Sequence, residues 1–281
     1  MGYGSDVAFT RVADGVLVRT GRRMATTTTI VFRPSGVPAG RVLPGRRAGA
    51  LPAVLVDPAW DADELEAIAD ELDALAVRPA AGFSTHAHYD HLLWHPRYGD
   101  VPRWASEGSV RVVRERRDEL VEQLLGGDPE RYPKPVLDLF AHVTEVPDPP
   151  SGLPDLDDAL PRTEVVVHDG HEQGHSALWL PESGVLVVGD MLSDAEIPLP
   201  YHPDNLPAYL AGLDRLAPYV EAAAVLVPGH GTPSYTPVER LDADRRYLDA
   251  VLAGREPDDP RLANRAMAEE HERLVRAFPP R

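Results

Sequence analysis

The chain has 281 residues, 43% of them hydrophobic, which is ordinary for a soluble globular protein and enough to bury a sizeable core. Its formal charge of −17 argues against nucleic acid or an anionic membrane surface as partner. There is no cysteine, so no disulfide framework exists and any metal must be held by nitrogen and oxygen ligands.

The first ten residues show no basic segment followed by an apolar run, and no stretch approaches the roughly 18 uninterrupted apolar residues of a membrane span. The expectation is a soluble, cytoplasmic protein. Phe9 to Ala13 and Val16 to Thr20 flank Asp14-Gly15, a strong hairpin signal, and the β-branched run Ala25 to Phe32 predicts a third strand. Pro34 to Pro52 is rich in Pro, Gly and Arg without periodicity and reads as a long loop. Ala53 to Pro58 reads as a buried strand and turn. Leu65, Ile68, Leu72 and Leu75 then predict an amphipathic helix from about Asp61 to Ala76. Ala80 to Thr85 predicts another buried strand, Val101 to Ser106 a short one, and Glu107 to Leu125 a charged helix.

Gly126 to Arg162 is rich in Pro and Asp, with Pro147 to Pro161 read as loop. A second strand series follows at Thr163 to His168, Ser176 to Leu180 and Val185 to Val188. Then come a helix at Asn205 to Leu216, a strand at Ala223 to Val227, a helix at Val238 to Ala253 and a polar helix at Pro260 to Phe278. The order strands–helix–strand–helix, met twice, suggests an α/β fold of two similar halves, with two sheets sandwiched between outer helices. One domain spanning residues 1–281 is expected, with C-terminal helices at about 236–278 packed on it.

Chemistry concentrates at predicted strand ends. Ser84-Thr85-His86-Ala87-His88-Tyr89-Asp90-His91 packs three histidines and an aspartate into six positions at the end of a strand. Imidazole and carboxylate are the ligands a borderline divalent ion takes, and buried ring nitrogens need partners. Three further strands end in the same manner: His168-Asp169-Gly170-His171-Glu172-Gln173-Gly174-His175, Gly189-Asp190, and Gly229-His230-Gly231. Each glycine permits a sharp turn that leaves the next side chain beyond the sheet edge.

The set His86, His88, Asp90, His91, His171, Asp190 and His230, in that order, resembles the metallo-β-lactamase superfamily of metal-dependent hydrolases. The His-x-His-x-Asp-His cluster and the Gly-His-x-x-Gly-His-Ser segment carry the likeness most specifically. The resemblance implies a four-layer αββα sandwich with metals at the sheet edge between the halves. It implies that His86, His88 and His171 hold one ion, that Asp90, His91 and His230 hold a second, and that Asp190 bridges them. His175 is placed outside the ligand set. The two divalent ions are expected to be zinc, with iron or manganese as alternatives. A water activated between them would attack a small ester, lactone or thioester, with Asp90 orienting or carrying its proton. Tyr201, beyond the bridging aspartate, is a candidate oxyanion donor.

Within the family, the missing cysteine, the presence of Asp190 and the expected lack of a signal peptide set the chain apart from true β-lactamases and favour the lactonase and glyoxalase-II-like branches. The alternatives are a mononuclear-iron oxygenase of persulfide-dioxygenase type, which would not need His91 and His230, and a phosphodiesterase or RNA-processing hydrolase, which the acidic charge disfavours. The partner expected is a small molecule; oligomeric state is not legible. His95 is read as a supporting or helix-start residue, His175 as support or substrate contact, and Tyr201-His202 as pocket candidates. Asp57 is read as a strand-end turn and Trp94, Trp104 and Trp179 as core. Arg261, Arg265, Arg273 and Arg276, interleaved with glutamates, read as a solvated helix face.

Overall fold

Two β-sheets stack face to face because their strands are apolar on both sides, with alternate residues serving different cores. The structure is a computed structural model that describes residues 8–33, 49–147, 152–154, 160–200 and 205–277. The first sheet contains β1 (Thr10–Ala13), β2 (Val16–Thr20), β3 (Thr27–Val31), β4 (Leu51–Val56), β5 (Val77–Phe83), β6 (Arg103–Ala105) and β7 (Thr144–Glu145), adjacent in that order. Pairing is antiparallel from β1 to β4 and parallel from β4 to β7. The second sheet contains β8 (Glu164–Val167), β9 (Ser176–Leu180), β10 (Val185–Gly189) and β11 (Val225–Pro228), with only the β10–β11 pair parallel.

Period-two patterning explains the layers. On β4, Val54 and Val56 face the second sheet, while Ala53 and Leu55 face the other way. On β10, Val185 and Val187 join that same inter-sheet core, whereas Leu186 and Val188 lie in the opposite one. The outer face of the first sheet is covered by α1 (Ala62–Ala74), α2 (Glu107–Leu125) and α3 (Lys134–Leu139). The outer face of the second is covered by α4 (Leu206–Ala222), α5 (Pro237–Leu252) and α6 (Arg265–Ala277). This is the αββα sandwich expected from the sequence. Among the described residues no helix is long and apolar enough to cross a membrane.

Some boundaries differ from the sequence reading. Strand β5 starts at Val77 rather than Ala80, because Pro79 is accommodated beside a register shift opposite Ala53 and Val54. Helix α4 runs on through Pro218 to Ala222. Pro218 and Asp214, four residues before it, are both exposed, so the carbonyl left unbonded faces solvent. Helix α3 and the short β7 lie in the stretch read only as rich in Pro and Asp. The single C-terminal helix is instead a 3₁₀ turn at Pro260–Ala263 followed by α6. Most of the loops predicted at Pro34 to Pro52 and Pro147 to Pro161, and Phe278, lie outside the described residues.

Arg265, Arg273 and Arg276 pair with glutamates on α6, as a solvated face would. Arg261 does not. It is 7% exposed, and its Nη1 donates to Asp244 Oδ1 of α5 at 2.6 Å and to the carbonyls of Ser193 at 3.0 Å and Glu196 at 2.8 Å. One guanidinium thus ties α5 and the turn before α6 to the loop that follows Asp190. Arg261→Ala leaves Asp244 buried without its cation and should lower stability by about 3–5 kcal/mol. Chemical denaturation would show this, and a loss below about 1 kcal/mol would mean that the network does not brace the loop.

Candidate metal centre

All seven predicted ligands converge at one edge of the sandwich, where β5, β8, β10 and β11 end. Backbone bonds lock the two sheets together there, Ser176 N donating to Thr85 O at 2.8 Å and Thr27 N to Gly229 O at 2.7 Å, while Gly229 N donates to Gly189 O at 2.6 Å across the ends of β10 and β11. Gly229 is required for this approach, since a Cβ on it would lie 2.0 Å from Asp190 Oδ1. The donor atoms of the predicted ligands form two adjoining groups, one of His86, His88, His171 and Asp190 and one of Asp90, His91 and His230, and Asp190 and His230 form a third with Glu196.

The spacing fits bound ions better than it fits hydrogen bonds. His86 Nε2 and His171 Nε2 lie 3.4 and 3.6 Å from Asp190 Oδ2, and His88 Nδ1 lies 3.1 Å from His171 Nε2. His230 Nε2 is 3.2 Å from Asp90 Oδ2 and 3.4 Å from Asp190 Oδ2, and His91 Nε2 is 3.2 Å from Asp190 Oδ1. Ligands held about 2.1 Å from a tetrahedral ion stand about 3.4 Å apart. His86 Nε2, His91 Nε2 and Asp190 Oδ1 are buried without a properly aligned hydrogen bond, despite those short separations. Buried atoms left in this state require a ligand, and a divalent ion at the focus of each group satisfies them. The residues present therefore fit a pair of divalent metals.

The far ring nitrogens are anchored, which fixes which nitrogen faces the centre. His86 Nδ1 contacts Thr85 Oγ1 at 3.0 Å, and His171 Nδ1 donates to Leu199 O at 2.7 Å. His230 Nδ1 meets Met24 O at 3.1 Å and Thr26 Oγ1 at 3.3 Å. His88 presents Nδ1 because its Nε2 is held by Glu172 Oε2 at 3.3 Å. Asp57, at a positive φ of 44°, accepts from Thr85 N and Oγ1 and lies at an ion-pair distance of 3.1 Å from His91 Nδ1, with no aligned hydrogen bond between them. A strand-end turn understates its work; it orients His91.

The charge states of the two groups differ. Burial, together with neighbouring imidazoles, holds His86 well below its usual range and His171 down at about 3, so both present neutral lone pairs. Burial acts the same way on His91 and His230. There the carboxylates outweigh it, chiefly Asp190, and raise both imidazoles well above the usual range. Burial pushes Asp90 and Asp190 up, but His91 and His230 more than reverse it and keep both ionised. Filling the second group must therefore displace protons, while filling the first need not.

Of the histidines left open by sequence, His175 accepts from Asp190 N at 3.1 Å and touches His168 Nε2 at 3.3 Å, so it supports the bridging residue from behind. His95 starts a 3₁₀ turn and pairs with Glu66 at 3.0 Å, away from the centre. Tyr201 and His202 lie outside the described residues. Trp94, Trp104 and Trp179 are core residues.

His168 is driven down to about 4, first by burial. An unfolded imidazole titrates near 6.5, so the unfolded state binds more protons between those values. Stability attributable to His168 is intact above pH 6.5 and lost as pH falls towards 4, by up to about 3 kcal/mol. Denaturation at pH 7 and pH 4 should show a smaller acid loss in His168→Gln than in the wild type; equal losses would contradict a buried neutral ring.

The centre opens into a cavity of about 660 Å³ whose wall includes Trp60, Tyr89, Arg116, Leu199, Glu196 and Met267. None of these was read from the sequence as lining the site. Apart from Glu196 and Leu199, which share the loop after β10, they come from separate stretches of the chain. Glu196 is 8% exposed, and burial, with Asp190 and Asp90 nearby, pushes its carboxyl up to about 7.

Residues 50–230 match the family model described as the metallo-beta-lactamase superfamily. No curated protein matches the chain in sequence. Among solved structures, DIM-1 metallo-beta-lactamase is 16% identical with a TM-score of 0.58, covering 87% of this chain and 97% of its own. A beta-lactamase domain protein from Burkholderia ambifaria is 16% identical with a TM-score of 0.60, over 87% of this chain and 74% of its own. A metallo-beta-lactamase family protein from Thermus thermophilus is 23% identical with a TM-score of 0.57, over 94% of this chain and 93% of its own. These likenesses establish the fold.

Proposed function

The chain belongs to the metallo-β-lactamase superfamily, and from that premise we propose that it is a dinuclear metal-dependent hydrolase of a small ester, lactone or thioester. The observation that supports this reading most is the arrangement of seven donors around two adjoining points with Asp190 common to both. When bound, a pair of zinc ions would supply Lewis acidity and lower the pKa of water towards 7.

The chain's own residues do the rest. His86, His88 and His171 are proposed to hold one ion, Asp90, His91 and His230 the other, and Asp190 to join them. Glu172, Asp57, Leu199 and Met24 keep the ligand rings in register, so little reorganisation is needed as the reaction proceeds. Asp90 contributes Oδ2 to the cluster and keeps a second oxygen to orient the attacking water and hold its proton. Tyr201 is proposed to donate its hydroxyl to the developing oxyanion. A cavity of about 660 Å³ suits a small molecule, and a net charge of −17 disfavours an RNA substrate.

The test is a hydrolysis screen over lactones, aryl esters and acyl thioesters with zinc-loaded protein. Turnover of at least one class, abolished by a chelator and restored by zinc, is the expected result. No turnover of any class would overturn the proposal.

A further inference from the structure

We infer that Glu196 forms a cation subsite beside the metal centre, and that the substrate carries a positively charged amine close to its scissile carbonyl. The bond cleaved rests on the hydrolase reading above; the binding of a cation does not.

Glu196 is more than nine-tenths buried, yet it lines the cavity, with a carboxylate oxygen within 4.8 Å of ligand atoms of Asp190 and His230. Its backbone is fully engaged. The amide donates to Ser193 Oγ at 3.0 Å, and the carbonyl accepts from Arg261 Nη1 at 2.8 Å. Among the described residues its carboxylate has neither a hydrogen bond nor an ion pair; the His230 ring, within 4.8 Å, favours its ionised form from a distance, and that ring would give up its proton on holding a metal. The other charged groups of this wall are already matched. Glu172 takes His88 and the amide of Gln173, Glu270 takes Arg273 at 2.7 Å, and the one arginine, Arg116, is chelated by Glu119 at 2.9 and 2.7 Å.

A buried carboxylate is costly without a cation, and an incoming ammonium, quaternary or protonated, supplies one by direct charge contact. Two divalent ions do not remove the demand. They bring four positive charges, which the four carboxylates Asp57, Asp90, Glu172 and Asp190 already match, so Glu196 is left without a counter-charge. The loaded pocket therefore stays negative and repels anionic acyl compounds. The chain's charge of −17 acts in the same direction at long range, drawing cations towards it. Because Glu196 stands immediately beside the ligand atoms, the amine and the scissile carbonyl must be separated by only a few bonds.

The experiment uses the full-length zinc-loaded protein and isosteres that differ only in charge. Choline and 3,3-dimethylbutanol are compared by calorimetric binding, and acetylthiocholine and 3,3-dimethylbutyl thioacetate by kcat/KM. Wild type should favour the cation at least about ten-fold, with the preference shrinking as salt is added, and Glu196→Gln should bring the ratio near one. Equal affinity of wild type for choline and its neutral isostere would overturn the inference, and this comparison stands even if the variant does not fold. An undiminished preference in Glu196→Gln would also overturn it, as would loss of a metal ion from that variant, which would make Glu196 a ligand. Choline preference without thioester turnover keeps the subsite and counts against the hydrolase reading instead.

Discussion

Asp190→Ala should lose turnover by about 1,000-fold or more and retain less than its full metal content, because losing only a group that supports a ligand already costs 10–100-fold. Asp190 stands 3.2 to 3.6 Å from the Nε2 atoms of His86, His91, His171 and His230, so it contacts both donor groups. Its position is over-determined. Gly229 packs against Oδ1 so closely that a Cβ would sit 2.0 Å away, and His175 accepts its backbone amide at 3.1 Å. Alanine keeps that backbone and removes only the shared oxygens. Far-ultraviolet circular dichroism should therefore match wild type while elemental analysis and kinetics do not. Wild-type turnover in the variant would refute the bridging role.

Removing the metal should lower the thermal midpoint by about 10 °C or more. Each ion held at a thousand times its Kd contributes about 4 kcal/mol, and two ions across a chain of this size give a shift of that order. The structural reason is the inward set of donors. Without ions, His86 Nε2, His91 Nε2 and Asp190 Oδ1 are buried and unsatisfied, and His91 and His230 carry charge inside the protein against Asp90 and Asp190. Thermal denaturation before and after chelation, then after zinc is returned, measures the effect. A change below about 2 °C would show that the donors do not hold metal in the folded protein.

The metal ligands were legible because each follows a strand within a few residues, and glycine punctuates three of the four segments: Gly170-His171, Gly189-Asp190 and Gly229-His230. The continuous apolar runs of β4 and β10, buried on both faces, likewise make the two-sheet core readable. What supports the ligands was not legible. Glu172 sits beside a ligand in sequence but acts on the distant His88, and Met24 O reaches His230 across 206 residues. Glu196 lies in Ser193-Asp194-Ala195-Glu196, which reads as polar loop, and it is buried because Arg261 draws that loop inward. Arg261 itself read as solvated, since its neighbours on α6 are. Only the 3₁₀ turn at Pro260–Ala263 redirects it into the core.

The central claim is that the two donor groups act together on a shared pair of ions. Elemental analysis of the purified protein, with Zn, Fe and Mn counted against chain concentration, tests it most directly. Two divalent ions per chain, falling towards one or fewer in Asp190→Ala, is the predicted result; one iron per chain, or no bound metal, would contradict it.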